Sequence, residues 1–294
     1  MGMRSVMVTA LAGTALAAVA LHSGAGSEVP AAAALHHEAA TAVTALHHEA
    51  STAGATPART PLAAAVEIPL SVRNGRPVVP VKARDEQLDF VLSTGSGSTV
   101  LSASLAERLG EGPELWLGEV PVPMQGAATL PDEQLTIDGV TIDGMIGANT
   151  LNQFDVLVDV PGGRLVLQEI GAGVSWDGMT LSEPVRMRVL HGIVLSFQVE
   201  LGGRTYPATM DLGTPMLVVN PGVKTDLQLA DEDTATLSLG GATQPDLPVH
   251  VLDLPMLRRF SPDGAGFVLV GAPVVWDCAL SLSWVHQELR TCVR

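Results

Sequence analysis

Two stretches of the chain share one pattern: an apolar strand, a short polar turn and a second apolar strand. The first reads FVLSTGSGSTVLS over residues 90–102, and the second reads ATMDLGTPMLVVN over residues 208–220. Ser93 and Asp211 occupy equivalent places in the two turns, 118 positions apart. A turn repeated at this distance indicates two similar units that arose by internal duplication.

The segments around both turns alternate between apolar and polar residues, as half-buried strands do. VEIPLSV, RPVVPVKA and LDFVLS are predicted strands, and the Asn74-Gly75 pair between the first two predicts a tight hairpin. LTIDGVTIDGMIG predicts two more strands, and FDVLVDV and RLVLQEI predict a hairpin that turns on PGG at 161–163. Helix is expected only in SASLAERLG (102–110), with Ser102 as its N-cap, beside a turn near ANTLNQF.

The second half of the chain repeats the order of the first. VRMRVLHGIVLSFQVE, LGG and RTYPATMDLGT match the early strands and the turn, and GFVLVGAPVVWDCALSLSW matches DGMIGANTLNQFDVLVDV. ELRTCVR closes the second half as RLVLQEI closes the first. We therefore predict an all-β chain with a first lobe over 63–177 and a second lobe over 178–294.

The N-terminal residues have the pattern of a secretory signal peptide. MGMR supplies the basic start, SVMVTALAGTALAAVAL the apolar stretch, and Ala18-Val19-Ala20 a small-residue cleavage site. This predicts a signal peptide over 1–20 and a secreted or periplasmic protein. A lone membrane anchor is the alternative, because the apolar run approaches spanning length. No cysteine follows the run, which argues against a lipid anchor.

Residues 21–62 are rich in Ala, Thr and His and contain ALHHEA twice, at 34–39 and 45–50. The step of eleven residues is three helical turns, so one helix face could carry His36, His37, Glu38, His47, His48 and Glu49. Such a cluster could bind zinc or nickel. Because Ala/Thr-rich repeats are commonly spacers, we interpret this segment as a linker and expect no metal or cofactor.

Charge and cysteine content narrow the function further. The chain has 31 acidic and 16 basic residues, a formal charge of −15, which argues against a nucleic-acid partner because phosphates require basic surface. Its two cysteines, Cys278 and Cys292, lie on the two arms of the predicted closing hairpin. In an exported protein such a pair predicts a disulfide, and two buried free thiols are the alternative.

The two turns, Ser93-Thr94-Gly95 and Asp211-Leu212-Gly213, are variants of an Asp-Thr/Ser-Gly turn between apolar strands, and further along the chain each is followed by two apolar residues and a glycine. These later pieces are Met145-Ile146-Gly147 and Leu269-Val270-Gly271. The chain therefore resembles the aspartic proteases over residues 63–294. The resemblance implies two retropepsin-like β-barrel lobes in a pepsin-like, two-lobed arrangement. It also implies a site made of Ser93, Thr94, Gly95, Asp211, Gly213 and Thr214.

The site departs from the family pattern at two positions. In the family two carboxylates share one proton, one acting as base on a bound water while the other supports the carbonyl oxygen. Ser93 replaces one carboxylate, and a hydroxyl is no base at ordinary pH. Thr94 keeps the hydroxyl that ties the family's turns together, but Leu212 does not. The expected flap stretch, PVPMQGAATLPDEQ at 121–134, lacks a tyrosine, and the chain's one tyrosine is Tyr206.

Other interpretations of these residues are weaker. An ordinary Gly/Ser loop would not explain the repeated turn. A phosphate-binding loop lacks its third glycine and lysine, and a serine-hydrolase elbow lacks Gly-x-Ser-x-Gly. The alternative that Asp211 is only a structural carboxylate stays open. The isolated histidines are interpreted as surface or satisfied residues, and three aspartates as turn or edge carboxylates: His191, His250, His286, Asp155, Asp159 and Asp277.

Two hypotheses about function follow. The first is a monomeric, non-proteolytic protein that binds an extended peptide or protein segment in the groove between the lobes, with no membrane contact beyond the signal segment. The second is an active aspartic endopeptidase. It would use Asp211 with a water held by Ser93, or form a homodimer that brings two Asp211 carboxylates together.

Overall fold

The computed structural model of the protein describes residues 64–137, 139–174, 178–190, 194–230, 233–275 and 277–292. The predicted signal peptide and the His/Glu-containing linker lie outside the described residues. The strands of the first lobe are β1 (Val66–Pro69), β2 (Ser71–Arg73), β3 (Arg76–Ala83), β4 (Glu86–Leu92), β5 (Val100–Ser102), β6 (Leu115–Leu117), β7 (Val120–Pro121), β8 (Ala128–Leu130), β9 (Thr136–Ile137), β10 (Val140–Thr141), β11 (Gly144–Ile146), β12 (Phe154–Asp159) and β13 (Arg164–Glu169). Those of the second lobe are β14 (Val185–Arg186), β15 (Arg188–Leu190), β16 (Val194–Leu201), β17 (Arg204–Asp211), β18 (Leu217–Val219), β19 (Thr234–Leu239), β20 (Ala242–Val251), β21 (Val268–Gly271), β22 (Ala279–Ser283) and β23 (Glu288–Thr291).

Three sheets carry the fold. A six-stranded sheet in the order β1-β13-β12-β22-β23-β14 joins the lobes, because β12 of the first lobe pairs with β22 of the second. The first lobe adds a sheet ordered β7-β6-β3-β4-β11-β5-β8, with β2 on β3. The second lobe adds β15-β16-β17-β21-β18-β20-β19. The prediction of an all-β chain with two lobes is confirmed.

The lobes share a pairing scheme but differ in closure. In the second lobe β16 also pairs with β19, and β20 pairs with both β19 and β18, which closes a barrel of six strands. In the first lobe the corresponding strand is interrupted between β7 and β8 by residues 122–127, and the barrel is open there. Pro121 and Pro123 lie at this interruption, and proline has no N–H to continue a ladder.

Four short helices complete the described chain: α1 (Ala103–Leu109), α2 (Ala148–Leu151), α3 (Pro221–Leu227) and α4 (Pro255–Phe260), together with 3₁₀ turns at Asp132–Leu135 and Ala272–Val275. Ser102 caps α1 as predicted, its hydroxyl accepting from Leu105 N at 3.2 Å. The sequence prediction was wrong to confine helix to this region, because α3 and α4 also form. Asn220 caps α3, accepting from Val223 N at 3.2 Å, and Asn followed by Pro is a recognisable helix start.

The main apolar core is one cluster that runs through both lobes and the sheet between them, built mostly from Val and Leu side chains. A smaller cluster lies beneath the β9–β10 hairpin, and another beneath α4. Burial of these side chains stabilises the fold by about 25 cal/mol for each Å² of apolar surface. The shared core fixes the positions of both turns relative to each other.

The two cysteines form a disulfide near the C-terminal end of the described chain. Cys278 and Cys292 are bonded to each other beside the β22–β23 pair, with their Cα atoms 5.7 Å apart, a separation usual for disulfides. Across the described residues, no helix combines the length and apolar character needed to span a membrane.

Candidate active site

Each turn is held from behind by a strand that ends at a glycine. In the first lobe β11 runs parallel to β4 and leads into Gly147, and in the second β21 runs parallel to β17 and ends at Gly271. A Cβ atom on Gly147 would lie 2.3 Å from the Ser98 carbonyl oxygen, and one on Gly271 would lie 2.1 Å from that of Met216. No side chain fits at either position. The two apolar-apolar-Gly motifs therefore pack directly against the two turns.

The turns meet at the junction of the lobes, where Ser93 and Asp211 are in direct contact. The Ser93 hydroxyl donates to Asp211 Oδ1 at 2.9 Å, and the backbone N–H groups of Gly95 and Gly213 donate to the same oxygen at 3.1 and 2.9 Å. Thr214 Oγ1 donates to Oδ2 at 3.2 Å. Four of the residues that the sequence suggested thus donate to the carboxylate of a fifth, Asp211.

The environment of Asp211 disfavours its ionised form. Its side chain is fully buried, and this desolvation raises the pKa of Asp211 above its ordinary value. The hydrogen bonds from Gly213, Ser93, Gly95 and Thr214 act in the opposite direction, because each donor stabilises a negative charge. A carboxylate can accept all four donors, so the site is arranged around an acceptor.

Thr94 makes the contact between the turns that its place in the motif suggested. Its hydroxyl donates to the carbonyl oxygen of Met210 at 3.0 Å and accepts from the N–H of Leu212 at 3.2 Å. Leu212 has no hydroxyl to return this contact, and its side chain is buried in the main apolar core. Only the first lobe therefore supplies a hydroxyl tie.

Ser93 and Asp211 are themselves fully buried, but residues beside them reach the surface. Gly97 and Ser98 of the first turn and Pro215 and Met216 of the second are partly exposed. The N–H of Ser96 donates to the Ser93 hydroxyl at 3.0 Å, so this hydroxyl is held by its own turn as well as by Asp211. Residues 97–98 and 215–216 thus form two partly exposed strips, one from each turn, next to the buried contact between Ser93 and Asp211.

The stretch expected to form a flap has another structure. Residues 121–134 hold the end of β7, a turn, the short strand β8 parallel to β5 and a 3₁₀ turn, and they form no hairpin. The nearby β6–β7 hairpin has its tip at Gly118, where an added Cβ would lie 3.0 Å from Cγ1 of Val66 on β1. That hairpin therefore packs against the sheet between the lobes.

The structure also locates the aspartates and histidines that the sequence analysis placed outside the candidate site. Asp155, interpreted as a turn or edge residue, lies on the interior strand β12, not at an edge. Its Oδ2 accepts from the backbone N–H groups of Gly171 and Gly173 in the turn after β13, at 2.9 and 2.8 Å, and its Oδ1 accepts from Ser283 Oγ of the second lobe at 2.7 Å. Asp159 accepts from Gly162 N and Arg164 Nε at the next turn, in keeping with a structural role. His250, His286 and Asp277 are exposed, and His191 lies outside the described residues.

Sequence reasoning missed Arg76, whose side chain is fully buried and donates to the second turn. The one available signal was an arginine at the first position of a strongly apolar strand, directly after Asn74-Gly75. Among the residues that the structure describes, no group of three or more His, Cys, Asp or Glu side chains could hold a metal ion.

The chain is similar in structure to the aspartic proteinase from Irpex lacteus, known from a crystal structure. The likeness covers 78% of this chain and 97% of that chain, with a TM-score of 0.51 and 12% sequence identity. No protein-family model matches the chain, and neither does any curated protein. The likeness shows that this chain has the two-lobed, pepsin-like all-β fold that its sequence predicted.

Proposed function

We propose that this chain is a secreted or periplasmic, aspartic-protease-like protein that does not hydrolyse peptides. Instead of proteolysis we propose a binding function, in which an extended peptide or protein segment lies in the groove between the lobes. The observation that carries the proposal is the contact at 2.9 Å between the Ser93 hydroxyl and Asp211 Oδ1. A hydroxyl stands where proton sharing between two acids would need a second carboxylate.

The hydrogen bonds around Asp211 also disfavour base catalysis. A general base must reach the water it activates. Asp211 is fully buried, and each of its oxygens already accepts from a neighbouring group of the protein. The geometry therefore supports a structural contact between the lobes better than the alternative of an active peptidase.

The partly exposed strips beside the contact support the binding function. Gly97 and Ser98 lie on one side and Pro215 and Met216 on the other, so a segment crossing the junction would meet both lobes. Recognition of an extended segment by backbone hydrogen bonds and side-chain pockets needs no catalytic carboxylate. The predicted signal peptide at 1–20 supports the proposed location outside the cytoplasm.

The test is affinity selection of a diverse peptide library on the immobilised full chain. We expect enrichment of peptides that bind the wild type and lose at least about ten-fold in affinity for Met216→Arg, because a long charged side chain would obstruct the strip. Val285→Arg is the matched control, since Val285 is an exposed apolar residue in the β22–β23 turn. If no peptide is enriched, or if the peptides bind Met216→Arg as tightly as the wild type, the proposal of a peptide-binding groove between the lobes is refuted.

A further inference from the structure

Arg76 is the largest fully buried side chain of the described residues. It is the first residue of β3 and follows the Asn74-Gly75 turn, where positive φ angles of 40° and 69° form the tight turn that the sequence predicted. The guanidinium stays charged at all ordinary pH values. Burying a charge costs free energy unless the charged group is well hydrogen-bonded, so the contacts of Arg76 must offset the cost of its burial.

The contacts of Arg76 cross between the lobes. Its Nε–H donates to the carbonyl oxygen of Gly213, 137 residues away in the second turn, at 3.1 Å. Its Nη1 donates to the carbonyl oxygen of Asn74 at 3.2 Å. The guanidinium therefore connects the first-lobe hairpin turn to the turn that carries Asp211.

Gly213 is held on both sides. Arg76 binds its carbonyl oxygen, and its N–H donates to Asp211 Oδ1 at 2.9 Å. The residue at the matching place in the second lobe is Val194, the first residue of β16, whose side chain has no hydrogen-bond donor. Leu212 likewise lacks the hydroxyl that would return the contact from Thr94.

We propose that Arg76 is a positioning residue: it fixes the second turn against the first lobe and takes over the tie that is missing at Leu212. This role does not depend on whether the groove binds a peptide. Thr94 holds the residues directly before and after Asp211, Met210 and Leu212, and Arg76 holds the next residue, Gly213. Together they fix both sides of the buried carboxylate from the first lobe.

The experiment compares Arg76→Met and Arg76→Lys with Arg84→Met in the full chain. Arg84 is the control for a side-chain hydrogen bond that stays within the first lobe: it is exposed, and its Nη2 donates to the carbonyl oxygen of Leu109 at 3.2 Å. Two readouts are used: amide hydrogen exchange over residues 209–217, and the titration of the Asp211 carboxyl by ¹³C NMR.

In Arg76→Met we expect exchange over residues 209–217 to accelerate by about ten-fold or more, the effect of losing a hydrogen bond from a charged donor. We expect the pKa of Asp211 to rise further, because a loosened Gly213 N–H stabilises the carboxylate less. Arg76→Lys keeps the charge but not the directed Nε–H, so it should shift both readouts in the same direction. It also provides the test if Arg76→Met does not fold.

Arg84→Met should leave both readouts at their wild-type values. The proposal is overturned if the Arg76 variants lower global stability but leave the exchange of residues 209–217 and the Asp211 titration unchanged. That result would make Arg76 an ordinary buried residue of the first lobe.

Discussion

The turns of the two lobes have the same backbone frame and opposite chemical roles. Across the junction the first turn mostly donates, through the hydroxyls of Ser93 and Thr94 and the N–H of Gly95, and the second mostly accepts, mainly through the carboxylate of Asp211. The reverse contact is the Leu212 N–H, which donates to Thr94 Oγ1. Each turn is backed by a glycine that admits no side chain, and in each the following residue donates to the turn at 2.7 Å. The two turns therefore keep the same backbone conformation although their polar residues differ. Packing against the glycines fixes the backbone, and the polar residues determine only the hydrogen bonds between the lobes.

The lobes also differ in how their barrels close. β20 of the second lobe continues from its pairing with β19 into its pairing with β18, while the first lobe divides the same path into β7 and β8. The turn bearing Asp211 thus belongs to the closed barrel, and the donating turn belongs to the open one. We expect the following changes to test this difference between the lobes, beginning with the largest effect.

Ser93→Asp would make the first turn acidic like the second. Two carboxylates this close cannot both ionise, so one must keep its proton far above its ordinary pKa, and we expect a loss of about 3–5 kcal/mol in the free energy of unfolding at pH 7. Stability should recover at acid pH, where one carboxyl binds a proton. Chemical unfolding across pH measures this, with Ser93→Asn as the uncharged control. A pH profile identical to that of Ser93→Asn would contradict the placement of the two side chains.

Gly147→Ala and Gly271→Ala test whether the two turns share one frame. Each added Cβ would collide with a backbone carbonyl, at 2.3 and 2.1 Å, so we expect each variant to lose about 3 kcal/mol. Gly126→Ala serves as the control, because its Cβ enters open space and only the positive φ of 74° in the Met124–Ala127 turn adds strain, worth about 1–2 kcal/mol. Thermal unfolding gives all three values. A large loss for one glycine alone would show that the frames differ.

Thr94→Val tests the hydroxyl tie between the turns. The variant leaves the Met210 carbonyl and the Leu212 N–H buried without the partner they have now. We expect a loss of about 2 kcal/mol in unfolding free energy. Thr99→Val, another buried threonine of the first turn region, removes a bond to Pro123 within the same lobe and is the comparison. If exchange over residues 209–217 accelerates no more in Thr94→Val than in Thr99→Val, the tie between the lobes is not at Thr94.

Asp211→Asn tests the sign of the pKa shift. Because burial raises the folded-state pKa of Asp211, the native state holds its proton to higher pH than the unfolded state. The wild type should therefore lose stability relative to Asp211→Asn as pH rises from about 3.9, the ordinary pKa of aspartic acid, through the folded-state value. Urea unfolding of both proteins at several pH values measures the difference. A relative gain by the wild type over that range would mean that the hydrogen bonds outweigh burial.

The sequence was sufficient for the features that depend on local pattern. The two turns, the apolar-apolar-Gly motifs and the Ser102 cap depend on neighbouring residues and follow from strand alternation and capping rules. The contacts of Asp155 with Ser283 and of Arg76 with Gly213 could not be assigned in this way, because these partners lie 128 and 137 residues away. Both contacts exist only once the lobes are joined. The missing flap hairpin follows from the division of one strand into β7 and β8, which alternation did not reveal.

The most direct test of the central claim is a cleavage assay with the full chain on a diverse peptide library from about pH 3 to pH 7, the range over which a carboxyl group titrates. Asp211→Asn is assayed in parallel. A site with one buried, fully hydrogen-bonded carboxylate predicts no cleavage by either protein. Cleavage by the wild type that disappears in Asp211→Asn would contradict the account and establish a working peptidase with a single aspartate in its repeated turn.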